Sequence, residues 1–554
     1  MKRGVKMENF KPMLFTCMKK YDGKQFAKDL VSGIIVAIIA LPLSIALALA
    51  SGVGPEQGLY TAIVAGFLIS FFGGSTVQIA GPTAAFATIV AGIVAKDGVS
   101  GLVVATIMAG ILLIIMGVLK LGALIKFIPY TITTGFTAGI AVTILIGQFK
   151  DFFGVTYQHG EAPIETMEKL KVFFENISTF NPWAFLVGAV CLAILIVWPK
   201  INQVIPGSII AIIISVLMVK LLKLNVNTIG DLYEISNKLP VPSFPQIGWG
   251  TITGQFSNAF TIAILAAIES LLSAVVADGM VDSKHRSNQE LIAQGIGNIG
   301  SAIFGGIPAT GAIARTAANI KSGGRTPVAG MVHAGTLVII LVVLMPFCGW
   351  IPMPCIAAIL FNVAYNMCQW RPFVKLVKTA PKSDIIVLVV TFLLTVIFDL
   401  VVAIEVGMIF ACLLFIRRMS EETQLHGWTY LKDDENFEKD LRAVPDPIRV
   451  YEINGPLFFG VADKIADITV KDFTKVLVIR MRSVPAIDIT ALKSLEEFHD
   501  AMKKKGIQVV YSHVNEQPRT MMEKAGFIEK VGEENFRDHI DAALDWAEKL
   551  IKEN

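Results

Sequence analysis

Two ionisable residues, Arg315 and Glu269, lie inside stretches that are otherwise apolar, and both invite a chemical role. Arg315 follows Phe304-Gly305-Gly306-Ile307-Pro308, where two glycines and a proline remove stiffness and one backbone donor, so an apolar helix ends and a new segment starts. From Ala309 the chain reads Ala-Thr-Gly-Ala-Ile-Ala-Arg-Thr-Ala-Ala-Asn, which predicts a short uncharged helix with Arg315 about two turns inside it. A helix that begins in a low-dielectric interior offers free N–H groups and the positive end of its dipole, and with a guanidinium beside them it can hold an anion. Guanidinium stays charged, so it attracts without exchanging protons. The plainer reading is an arginine that snorkels to an interface.

Glu269 is the one acid deep in the apolar run Ala259–Ala277, nine residues before Asp278. A carboxylate there must be paired, hydrated or protonated part of the time, which suits a group that takes up a coupling cation. The plainer reading is a hydrogen bond to a neighbouring helix. Gln78, Thr83, Phe86, Thr310 and Gln294 are further candidates for facing a site, although polar and small residues also hold membrane helices together.

The elements that must position these residues recur along the chain. Gly73-Gly74 is followed by Ile79-Ala80-Gly81-Pro82-Thr83-Ala84-Ala85-Phe86 and an apolar run, echoing the break before Ala309, and Pro82 and Pro308 lie 226 positions apart. Phe127-Ile128-Pro129-Tyr130 and Trp350-Ile351-Pro352-Met353 each open an apolar helix, with their prolines 223 apart. Two halves of matching length, each with an interrupted segment at the corresponding place, point to a transport site at a repeat interface.

With 54% hydrophobic and 17% charged residues over 554 positions, and a mean hydropathy of +0.63, the composition is that of a polytopic membrane protein. About fourteen apolar runs lie between Leu30 and Ile416, those after Pro82 and Pro308 too short to cross ~30 Å alone. The basic N-terminal segment 1–28, Lys200, Lys284 with Arg286, Lys321 with Arg325, the cluster Arg371 to Lys382, and Arg417-Arg418 fall on one side. By the positive-inside rule both termini are expected in the cytoplasm, the protein lying in the cell inner membrane. A net charge of +3 is too mild to argue for a nucleic-acid partner, and the basic residues cluster in loops instead of forming one stripe. Six cysteines without a Cys-x-x-Cys pair read as small core hydrophobes, and no nucleotide-binding Gly-x-x-x-x-Gly-Lys loop argues for an ATP-driven pump.

After Arg418 charges appear in nearly every turn. The expected division is 29–418 as a transmembrane domain, 419–444 as a linker and 445–554 as a soluble α/β domain. In the last, Arg449–Ile453, Val476–Met481 and Gln508–Tyr511 read as strands, with Ala491–Lys505 and Met521–Ala525 as helices.

The chain resembles the SulP anion transporters. Ala40-Leu41-Pro42-Leu43-Ser44-Ile45-Ala46, Ala80-Gly81-Pro82-Thr83, Ile268-Glu269-Ser270-Leu271-Leu272, Ser287-Asn288-Gln289-Glu290-Leu291, Gln294-Gly295-Ile296-Gly297-Asn298, Ala314-Arg315-Thr316 and Gly323-Gly324-Arg325-Thr326-Pro327 carry the likeness. Gly455-Pro456-Leu457-Phe458-Phe459-Gly460 and Val484-Pro485-Ala486-Ile487-Asp488-Ile489-Thr490-Ala491 resemble the STAS domain of such proteins. The resemblance implies a seven-plus-seven inverted repeat divided into core and gate domains, and a transporter without enzymatic activity or resident cofactor. It implies an anion held between the N-termini of the third and tenth segments, which begin at Thr83 and Ala309, with Arg315 at the anion site; the expected binding residues are Gln78, Thr83, Ala84, Phe86, Ala309, Thr310, Gly311 and Arg315. Glu269 with Ser273 would serve the coupling ion, proton ahead of sodium.

A homodimer is expected, its STAS part open to a regulatory protein; Thr490 falls where anti-sigma antagonists are phosphorylated, but Ile489 and Ala491 replace the usual neighbours. Sulfate or a C4-dicarboxylate is expected ahead of bicarbonate, because Ala309, Gly311 and Ala312 are small and leave room. Symport by alternating access is weighed against sodium-dependent bicarbonate transport, an uncoupled exchanger or channel, and a sensor in which the membrane part is an anchor.

Overall fold

A computed structural model describes residues 10–123, 129–157, 163, 165–202, 206–244, 248–398, 400–427, 444–445, 447–459, 465, 468, 470 and 473–553. Residues 1–9 of the expected N-terminal segment and 428–443 of the expected linker lie outside them. The chain groups into two compact units, Met1–Met408 and Ile409–Asn554.

The first unit is helical. Its first half holds α1 (Gly23–Ala50), α2 (Pro55–Phe72), the two-residue strand β1 (Ala80–Gly81), α3 (Ala84–Val118), α4 (Tyr130–Gly147), α5 (Pro182–Ile201) and α6 (Gly207–Leu221). The second half holds α7 (Trp249–Val281), α8 (Ser287–Ile303), strand β2 (Thr310–Gly311), α9 (Ile313–Lys321), α10 (Val328–Cys348), α11 (Met353–Cys368), α12 (Trp370–Thr379) and α13 (Lys382–Ile397), and α14 (Leu400–Glu422) follows. The 35 residues of α3 would measure about 52 Å if straight, too long for one crossing of a bilayer. Gly98, with a φ of 69°, breaks it into two passes, a conformation that glycine adopts without a Cβ penalty. Counting α3 twice and setting α12 aside gives fourteen segments, in the places that the apolar runs predict.

Packing divides the unit. α1 to α3 pack with α7, α8 and α10, while α4 to α6 pack with α11 and α13. Where α2 meets the rest of the first group its main chain comes close: a Cβ on Gly58 would collide with the Ser44 carbonyl of α1. The start of α1 is fastened to the loop before α10. Asp29, fully buried, accepts from Gln25 Nε2 and Arg325 N at 2.9 Å, from Thr326 Oγ1 at 2.5 Å and from Tyr21 Oη at 3.2 Å. Four donors around one carboxylate offset its loss of hydration.

In the second unit, strands β3 (Gln424–Gly427), β4 (Ile448–Asn454), β5 (Val476–Ser483), β6 (Gln508–Ser512) and β7 (Phe536–Arg537) form one sheet in that order, with β3 antiparallel and the others parallel. Alternate residues face opposite ways. Ile453, Leu477 and Ile479 pack under α15 (Ile489–Lys504) and α16 (Glu516–Lys524), while Ile448, Val450, Val476 and Val478 pack under α17 (Ile540–Glu553). The stretch read as a linker, 419–444, contains the end of α14 and strand β3, whose partner is β4.

Candidate functional site

Two short extended pieces meet at the centre of the first unit. Ala80 pairs with Gly311 and Gly81 with Thr310, antiparallel, so the corresponding breaks of the two halves face each other. Both glycines are required by close approach: a Cβ on Gly81 would strike the Arg315 guanidinium, and one on Gly311 would strike the Gln78 side chain. Each strand then opens a helix. Thr83 is the extended N-cap of α3, and Ala312 is the N-cap of α9, its N–H donating to Ile79 O at 2.9 Å. Neither cap residue's side chain satisfies its helix, so first-turn N–H groups of both helices are available to a ligand.

The tenth segment starts later than its composition predicts. Ala309 donates to Asn298 Oδ1 and accepts from Asn298 Nδ2, both at 2.9 Å, and Thr310 and Gly311 have ladder partners. With those backbone groups satisfied outside a helix, α9 begins at Ile313, and Arg315 stands in its first turn instead of two turns in.

Arg315 does not snorkel. It is 1% exposed, with Nη2 donating to Pro82 O at 3.2 Å and to Ser44 Oγ at 3.3 Å. Its Nε and Nη1 are buried without a hydrogen-bond partner, and among the described residues no carboxylate lies within ion-pair distance. A buried guanidinium held by two neutral oxygens has unspent donors and uncompensated charge, the condition in which an anion binds best.

Thr83 donates to Glu269 Oε2 at 2.8 Å, joining the start of α3 to α7. Thr310 donates to Ala266 O at 3.0 Å, joining β2 to the same helix. Ser273, one turn beyond Glu269, keeps a buried Oγ with no partner. Glu269 and Thr83 are partly exposed, whereas Phe86, Ala84 and Ala309 are buried. Thr83, Glu269, Thr310 and Arg315 are therefore brought together at the two helix starts. Gln78 and Gln294 belong to a different cluster.

That cluster is centred on Glu290, which sequence reasoning did not single out. Its carboxylate accepts from Gly74 N at 2.9 Å, Ser75 N at 3.2 Å, Gln78 Nε2 at 3.0 Å and Gln294 Nε2 at 2.8 Å, and it is fully buried. It fixes the loop that delivers β1. The signal was present: Glu290 is a second acid near an apolar run, set beside the polar residues Gln289 and Gln294 on one helix. His333 on α10 was also passed over; it is fully buried within electrostatic reach of Arg315, and both ring nitrogens lack partners.

Residues 26–391 match the sulfate permease family and residues 441–543 match the STAS domain. The chain is 39% identical to the Bacillus subtilis protein named "Putative sulfate transporter YvdB", over 94% of this chain and 98% of that one. It is 31% identical to the bicarbonate transporter BicA of Picosynechococcus, over 91% of each. The solved structure of the murine Solute Carrier 26 family member A9 anion transporter, in its inward-facing state, superposes with a TM-score of 0.89 at 18% identity, over 99% of this chain and 95% of that one.

Proposed function

Since the chain belongs to the sulfate permease family and is an anion transporter of that fold, we propose that it binds sulfate between the N-termini of α3 and α9 and moves it with a proton taken up by Glu269. The observation that carries this reading is Arg315: a buried cation in the first turn of α9, with no carboxylate within ion-pair distance among the described residues and with two of its nitrogens unpaired. An oxyanion there would complete the guanidinium's hydrogen bonds and accept from the N–H groups that open both helices. Glu269 is poised for coupling because its one hydrogen bond comes from Thr83, the cap of α3. Protonation of Glu269 and occupation of the anion site thus act on the same helix start, which supports alternating access of α3 and α9 relative to the α4 to α6 group. Both termini lie in the cytoplasm in this reading, and the protein is a homodimer whose STAS domain regulates or stabilises it.

Two of the three small residues before α9, Ala309 and Gly311, are closely packed, and only Ala312 is partly exposed. Gly311 is packed on Gln78 and Ala309 is buried against Asn298, so the argument from space against bicarbonate loses its ground. Sulfate stands first on the relative named for it. Sodium-dependent bicarbonate transport is the second reading, favoured by the similarity to BicA and by the unpartnered Ser273 hydroxyl beside Glu269. Uptake of radiolabelled sulfate, succinate and bicarbonate into proteoliposomes, at two pH values with and without sodium, separates them. Sulfate accumulation driven by an inward proton gradient without sodium is expected. Sodium-dependent bicarbonate uptake with neither sulfate nor succinate transport would replace the first reading by the second.

A further inference from the structure

Among the described α-helices of the membrane unit, α12 alone has no buried residue. Its ten residues, Trp370-Arg371-Pro372-Phe373-Val374-Lys375-Leu376-Val377-Lys378-Thr379, include none that is buried. At 100° per residue, Arg371, Lys375 and Lys378 fall within an arc of about 60°, Trp370, Phe373, Leu376 and Val377 occupy the opposite side, and Val374 lies on the flank between Lys378 and Trp370. Trp370 is 46% exposed, and Phe373 alone has a ring partner across to α13, Phe392, at 5.4 Å. The three cations have no carboxylate within ion-pair distance among the described residues; Arg371 lies 5.5 Å from the Trp370 ring and Asp384, the nearest acid in sequence, accepts from Ser383.

The depth of this helix is set by its connections. One residue, Gln369, separates it from α11, and two, Ala380 and Pro381, separate it from α13. Those links reach at most about 7 Å and about 11 Å between helix ends. α11 and α13 are apolar helices of 16 residues, about 24 Å long, which is less than the ~30 Å hydrocarbon thickness, so neither can lift α12 clear of the bilayer. An amphipathic helix held at that level puts its apolar side among acyl chains and its cations at the headgroups.

We propose that α12 is a lipid-binding helix that engages anionic phospholipid headgroups through Arg371, Lys375 and Lys378. Charge complementarity selects this occupant: three clustered cations without a carboxylate partner among the described residues meet a leaflet surface whose anionic lipids supply the opposite charge. Zwitterionic headgroups supply no net charge, and an acidic protein would have to reach a helix already seated in the interface. Because α12 joins α11 to α13 without slack, the lipid it holds bears on the group of helices that packs with α4 to α6.

The test uses the full chain reconstituted in phosphatidylcholine vesicles containing equal mole fractions of brominated phosphatidylglycerol or brominated phosphatidylcholine, with tryptophan quenching as the readout and Trp370→Phe to isolate the Trp370 contribution. Quenching of that contribution by the anionic lipid should exceed quenching by the zwitterionic one. The preference should fall about fivefold for each of Arg371→Gln, Lys375→Gln and Lys378→Gln, and should shrink in high salt. Arg371→Lys with Lys375→Arg and Lys378→Arg keeps the charge and should keep the preference. Equal quenching by the two lipids in the parent protein, a preference untouched by the triple Gln variant, or its loss in the charge-retaining variant would each overturn the assignment.

Discussion

Glu269 and Glu290 are both carboxylates inside a membrane protein, yet their surroundings assign them different work. Glu290 collects four N–H donors and has no freedom to give any up, whereas Glu269 accepts from one hydroxyl, which can rotate. Replacing each by Gln therefore separates support from coupling. Glu290→Gln points an amide N–H₂ at groups that are themselves donors and should destabilise by about 1–3 kcal/mol, seen as a lowered melting temperature in detergent. Glu269→Gln should leave the melting temperature within error and abolish pH-driven accumulation; persistent accumulation under an inward proton gradient would remove Glu269 from coupling. Arg315→Ala should weaken anion binding by about 1.5–3 kcal/mol in a folded protein, and unchanged affinity would place Arg315 outside the site. Charge in an apolar run made Arg315 and Glu269 legible in the sequence. Glu290 was not, because its partners Gly74, Ser75 and Gln78 lie more than 200 positions away and two of its bonds come from main-chain N–H groups that no residue type announces.

At the scale of elements, what the sequence showed was the apolar runs and their breaks, and what it concealed was the pairing between breaks. Fourteen segments follow from hydropathy, and the Pro82 and Pro308 echo marks two breaks that face each other in the fold. That the breaks become strands β1 and β2 was not readable, since two-residue strands leave no periodic trace and depend on a partner 230 positions off. The Gln78 side chain packed on Gly311 explains why this position lacks a side chain. Gly311→Ala drives a Cβ into Gln78, whose amide is held by Glu290, so the strain reaches the loop that carries β1. The expected cost is about 1–3 kcal/mol of stability together with reduced uptake, measured by melting and by initial transport rate. Wild-type uptake in that variant would show that the approach of the two strands is not needed for transport. Strand β3 was hidden for a related reason: Gln-Leu-His-Gly has no strand signature of its own and is selected by its pairing with β4, 20 residues later.

In the whole molecule, the proposed anion site lies within the unit Met1–Met408, and the sheet with its two layers of helices lies within Ile409–Asn554. The division bears on where the chain can be cut. Ending it after Glu421 removes β3 together with β4, so no strand loses its partner. Ending it after Val444 keeps β3 and discards β4, which leaves the backbone donors and acceptors of Gln424–Gly427 unpaired and open to another chain. The shorter chain should therefore be the better behaved of the two, monodisperse by size-exclusion chromatography where the longer one aggregates. It should also retain binding and uptake, because Arg315, Glu269, Thr83 and Thr310 are all present with the elements that hold them. If the STAS domain contributes to the proposed homodimer, light scattering will find the chain ended after Glu421 shifted toward monomer while its sulfate uptake per protomer persists. A shortened chain that remains fully dimeric would take the STAS domain out of assembly, and one that folds but no longer transports would make that domain part of the transport cycle itself.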